Sequence, residues 1–216
     1  MMVRYGTLAV SALALAGCSG EISEEARMRL PRAPEAEMEQ TEITGLDYGR
    51  RGAFRFANAG GTYVRNGGRA DLLGYGGNSG HLEFTLEGEG VEGRLAAFCS
   101  HSQADVALSE DVQLKVKPLT YRCKFERDGL PLEASLEMHE RGIFAAERRG
   151  SLLFEGQRLE LRSVHKSKAG KLPSKAAVGY VFLQNGREIG GVDTLGSETR
   201  HAYLPRDPAL REAAMV

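Results

Sequence analysis

Apolar and polar residues alternate with a period of two through most of the chain. In His81-Leu82-Glu83-Phe84-Thr85-Leu86-Glu87, the residues Leu82, Phe84 and Leu86 share one face, and Glu83, Thr85 and Glu87 share the other. Val112, Leu114 and Val116 alternate with Gln113, Lys115 and Lys117, and Tyr121, Cys123 and Phe125 with Arg122, Lys124 and Glu126. The scheme continues through Leu130, Leu132, Ala134, Leu136 and Met138, and again where Leu159 and Leu161 stand between Arg158, Glu160 and Arg162. This is the pattern of antiparallel strands with one face in a core and the other in water. About ten to twelve such strands fit between Gly52 and Leu204, which predicts an all-β meander closing into a barrel or sandwich.

The connections carry matching chemistry. Asp128-Gly129 and Asn185-Gly186 are two-residue hairpin signals, because both central positions of a type I′ turn need positive φ. Glu155-Gly156-Gln157 predicts a third turn. Tyr121 to Gly129 and Val178 to Gly186 share a spacing that any two hairpins would partly share. Helical spacing returns only at the end. There Asp207 can cap and Pro208 can open a helix, with Leu210, Ala213 and Ala214 on one face. Strands followed by a buried C-terminal helix resemble the tubby-like barrels, in which strands wrap a central helix. The resemblance covers Gly52 to Val216 and lies in the order of elements.

The beginning of the chain differs. Arg4 precedes an uncharged apolar run from Gly6 to Ala16, the build of a secretory signal and shorter than the about 20 residues that span a bilayer. Leu15-Ala16-Gly17-Cys18 resembles the lipobox of bacterial lipoproteins. That resemblance implies removal of residues 1–17 and acylation of Cys18, palmitate-type chains included. Two or three acyl chains hold a protein permanently, since each buried methylene contributes about 0.8 kcal/mol. It also implies the periplasm-facing bacterial envelope, and Ser19 after the cysteine implies the outer membrane. Ser19 to Asp47 has eight acidic residues against Arg27, Arg29 and Arg32, with Pro31 and Pro34. Such a segment buries too little to offset its ordering entropy. The expected organisation is therefore a signal over 1–17, a lipidated flexible tether over 18–47, and one β-domain over 48–216.

Composition narrows the function classes. A net charge of −1 argues against a general nucleic-acid binder, and 42% hydrophobic residues suit a packed domain. No second apolar run is long enough to span a bilayer, so the membrane is reached through the lipid. Of the three cysteines, Cys18 is used by the lipid, which leaves Cys99 and Cys123 in an oxidising compartment. A disulfide between them is the expectation; a catalytic thiol or a metal ligand are the other uses of such residues.

Candidate chemistry is sparse. Gly77-Asn78-Ser79-Gly80 has part of a trypsin-like nucleophile motif, but no histidine precedes Ser79 and His81 replaces the expected last glycine. His81, His101, His139, His165 and His201 lack ligand spacing. No catalytic residue, cofactor or metal is therefore assigned. Lys166, Lys168, Lys171 and Lys175 form a basic stretch free of acids. It reads as a solvated, mobile loop or as an anion-binding patch for anionic lipid, lipopolysaccharide or peptidoglycan. The leading expectation is a lipid-anchored envelope protein with a non-enzymatic binding or structural role. The competing one is a lipid-anchored periplasmic hydrolase. A deep pocket with converging polar groups favours the hydrolase, and a filled core favours the binding module.

Overall fold

A computed structural model of the chain describes residues 27–28, 37–46, 49–72, 75–107, 113–141, 147–168, 170, 173–195 and 199–216. The lipobox with Cys18, and Val112 and Lys171, lie outside them. The alternating pattern becomes twelve strands: β1 (Met38–Thr44), β2 (Arg51–Phe56), β3 (Ala59–Leu72), β4 (Tyr75–Gly88), β5 (Leu95–Ala107), β6 (Gln113–Arg127), β7 (Leu130–Arg141), β8 (Glu147–Phe154), β9 (Gln157–Val164), β10 (Gly179–Gln184), β11 (Arg187–Asp193) and β12 (Thr199–Pro205). One helix, α1 (Pro208–Met215), follows. Consecutive strands pair antiparallel and β1 pairs with both β2 and β12, so the meander closes into a barrel. Closure leaves no edge strand to template aggregation.

Facing partners in the ladders share a side, and the inward side is the apolar one. One tier runs Leu82, Cys99, Cys123, Leu136, Leu152 and Leu159 across β4 to β9. Cys99 and Cys123 face each other directly and are disulfide-bonded, as the sequence predicts. Their Cα atoms are 4.0 Å apart, closer than the usual lower bound of about 4.4 Å. The hairpins at Asp128-Gly129, Glu155-Gly156 and Asn185-Gly186 all have two residues at positive φ, between 46° and 81°.

In an up-and-down barrel the connections alternate between two ends. The even-to-odd turns and α1 lie at one end, which the helix closes. Asp207 Oδ1 accepts the Leu210 N–H at 3.1 Å and fixes the helix start. Ala213 and Met215 are the buried residues of the helix, packed with Leu86, Leu95, Phe125 and Phe154. Leu210 and Ala214, which the sequence places on the same face as Ala213, are half-buried. A polar clasp holds this plug. Arg127 Nη1 donates to Glu92 at 2.8 Å, and its Nη2 donates to Glu155 and to Glu212 of α1, each at 2.9 Å. Arg127→Met should therefore lower unfolding stability by roughly 2 kcal/mol, less than a fully buried pair because Glu92 and Glu155 are partly solvated. Urea denaturation measures this, and an unchanged midpoint and slope would show that the clasp is decorative.

Two expectations about the N-terminal segment change. The barrel begins at Met38, inside the stretch read as a tether, because β1 is needed to join β12 to β2. Upstream of it, Met28 is fully buried among Met38, Val178 and Tyr203 on the outer surface. Its N–H donates to Asp193 Oδ2 at 2.9 Å, while Oδ1 of the same carboxylate accepts from Leu195 N–H at 2.8 Å. Two backbone donors make that deeply buried carboxylate tolerable.

Candidate functional site

The odd-to-even connections mark the opposite end of the barrel, and there the lumen is not filled. A cavity of about 670 Å³ opens between strands β1 to β6 and β12, within the roughly 300–1,000 Å³ typical of small-molecule sites. Its deeper wall is apolar: Ile43, Phe54, Phe56, Leu82, Phe84 and Met215. Phe54 and Phe84 meet edge to face with centroids 6.5 Å apart. A second space of about 230 Å³ lies on the β7 to β11 side and is lined almost wholly by aliphatic and aromatic side chains. The two share Ile43, Phe56 and Met215 as a common wall.

Toward the mouth the lining turns cationic and aromatic. Arg50, from the β1–β2 connection, lines it together with Arg65 of β3, Arg200 of β12, His101 of β5 and Tyr121 of β6. Two guanidiniums are held by the β1–β2 connection: Arg65 Nε donates to Gly49 O and Arg200 Nη1 to Leu46 O, both at 2.6 Å. His101 and Tyr121 face each other across the β5–β6 ladder, their rings stacked at 6.4 Å. Gly80 makes that position available, since a Cβ there would stand 2.5 Å from His101 Cε1. Burial, and secondarily His81, lowers the pKa of His101 from 6.5, so its ring resists protonation. Burial, with Tyr180 adding to it, raises Tyr121 to about 12, so its hydroxyl keeps its proton and can donate.

The residues singled out in the sequence fall mostly elsewhere. Ser79 lies exposed on β4, with no base positioned on it among the contacts of the described residues. Cys99 and Cys123 form the disulfide two residues below the His101–Tyr121 pair. Lys166, Lys168 and Lys175 are exposed in the connection between β9 and β10, at the mouth end. That connection is tied down at several points. Ser174 N–H donates to His165 O at 2.7 Å, Lys168 N–H donates to Arg27 O at 2.8 Å, and Met28 forms a bridge with Ser167.

One further arrangement was invisible in the sequence. Ser163 Oγ lies 2.9 Å from His165 Nε2, and His165 Nδ1 lies 3.0 Å from Ser174 O. A carbonyl only accepts, so Nδ1 carries the hydrogen and Nε2 can accept from the serine hydroxyl. That polarity suits a nucleophile and its base. However, the pair lines neither cavity, and it fastens the loop to the end of β9.

Among the described residues, the one cluster of three potential metal-ligating side chains is Glu92, Glu155 and Glu212, whose shared cation is Arg127. Comparisons with protein-family models, with curated protein sequences and with solved structures returned no match.

Proposed function

We propose that this chain is a lipid-anchored protein of the bacterial envelope, held through Cys18, whose barrel binds an apolar ligand non-enzymatically. The observation that carries the binding role is the open apolar lumen. A closed sheet of twelve strands is wider than the about eight-stranded barrel that side chains alone can fill; α1 plugs one end, and about 670 Å³ stays open at the other. The cavity does have converging polar groups, the feature expected to favour a hydrolase. Those groups include no serine, threonine, cysteine or carboxylate among the described lining residues. Covalent hydrolysis needs a nucleophile beside the substrate, and the Ser163–His165 pair stands outside the cavity.

The exterior supports a domain surrounded by water. Glu83, Glu87, Arg122, Lys124, Glu137, Arg158 and Glu160 are exposed on outward faces, where a membrane-spanning barrel carries an apolar band. Among the described residues no helix is long and apolar enough to cross a membrane. The tubby-like resemblance rests on twelve strands followed by a helix packed into the lumen, and it names no ligand.

Titration of the full chain bearing Cys18→Ala with N-phenylnaphthylamine, an uncharged apolar fluorophore, tests the binding role. One saturable site with a blue-shifted emission is expected. Leu82→Trp, which fills the cavity without adding charge, should weaken that site about tenfold or more, the loss of roughly 1.4 kcal/mol of contact. Unsaturable binding, or equal binding by a folded Leu82→Trp variant, would place the fluorophore outside the lumen.

A further inference from the structure

Given the cavity-binding reading, on which this inference rests, the side chains at the mouth bear on which headgroup is held there. We propose that the ligand is an anionic amphiphile, its acyl tail against Phe54, Phe84 and Met215 and its carboxylate or phosphate at the mouth among Arg50, Arg65 and Arg200.

The lining carries three guanidiniums and no carboxylate among the described residues. Because a guanidinium stays charged at any physiological pH, the described lining residues of the mouth carry positive charge whatever the state of the histidines. Backbone carbonyls of the β1–β2 connection hold Arg65 and Arg200 in place at the mouth. Such positioned forks match the planar oxygens of a carboxylate or a phosphate. Tyr121 adds a hydroxyl that stays protonated and can donate to an oxyanion. An alcohol or amine headgroup would use this set poorly, and an ammonium group would be repelled by it.

The deeper wall imposes the other half of the ligand. Ile43, Phe56, Leu82 and Phe84 offer no hydrogen bond, so a polar chain would lose its water without replacement. The exposed Lys166, Lys168 and Lys175 stand at the same end and extend the positive field outward, which favours the approach of anions.

The test uses calorimetry on the full chain bearing Cys18→Ala, with ligands kept below micellar concentration. Hexadecanol serves as the uncharged reference beside palmitate, hexadecyl phosphate and hexadecyltrimethylammonium. One or both anions should bind about ten- to a hundredfold tighter than the alcohol, the range of a hydrogen bond to a charged group, and the ammonium weaker. Whichever anion is preferred identifies the headgroup as carboxylate or phosphate. Arg50→Gln, in a connection where only the backbone of Arg50 has a described bond, should cut the preference for anion over alcohol about tenfold. If the alcohol binds as tightly as the anions, the headgroup assignment is wrong while the apolar cavity stands. If no ligand binds, the cavity-binding reading itself fails.

Discussion

Reduction of the Cys99–Cys123 bridge should lower the stability of the barrel by roughly 3–4 kcal/mol, the chain-entropy value for a loop of this length. For a domain of this size that corresponds to a drop in melting temperature of about 10 °C. The bridge joins directly facing residues on β5 and β6, both nearly inaccessible, so reductant reaches it only when the ladder opens. Cys99→Ala with Cys123→Ala should therefore melt early with or without dithiothreitol, while the wild-type curve should shift only after prolonged reduction. Coincident curves for oxidised wild type and the double variant would show that the bridge contributes nothing. The loss should also reach the cavity, because His101 and Tyr121 are the next inward-facing pair on the same ladder toward the mouth.

Cys18→Ala is expected to release the protein from the membrane almost completely. The proposed thiol is the acceptor of the first acyl group, and no other membrane anchor is proposed for the chain. Fractionation after a high-salt wash, together with metabolic labelling by radioactive palmitate, measures both consequences. Wild-type retention of the variant after the wash, or undiminished label, would defeat the lipobox reading.

How far the sequence discloses this molecule depends on what each feature requires of its neighbours. Alternation and hairpin glycines are local, and β4, β6, β7 and β9 are legible from them. The disulfide is legible because its two cysteines sit at inward positions of adjacent strands. Strand β1 hides because its lumen side carries Glu39, whose charge is met only after folding by Arg211 of α1 at 2.9 Å. Read alone, Met-Glu-Gln-Thr-Glu-Ile-Thr looks like acidic linker. Strand β10 is buried at Val181, Phe182 and Leu183, on both faces, so its apolar run has no alternation to display.

The cavity is the least legible feature. Its cations, Arg50, Arg65 and Arg200, lie on segments far apart in the chain, and only closure of the barrel brings them to one mouth. Nor does any motif record the unfilled space itself. It arises because α1 reaches only partway into the lumen, ending its apolar face at Met215.

On the proposed anchor at Cys18, the burial of Met28 beside the β9–β10 connection sets how far the barrel can stand from the membrane. That connection belongs to the mouth end, so Arg27 and Met28 lie beside the mouth, although β1 itself begins at the plugged end opposite Pro205. The proposed anchor at Cys18 is nine Cα-to-Cα steps from Arg27, whose carbonyl is already held by Lys168. Fully stretched, that length spans about 30 Å. A 14-residue strand such as β3 is itself about 45 Å long. On the proposed acylation of Cys18, the terminus would work like a short mooring line at the bow: the barrel could swing about it, but its opening would stay close to the leaflet that holds the anchor.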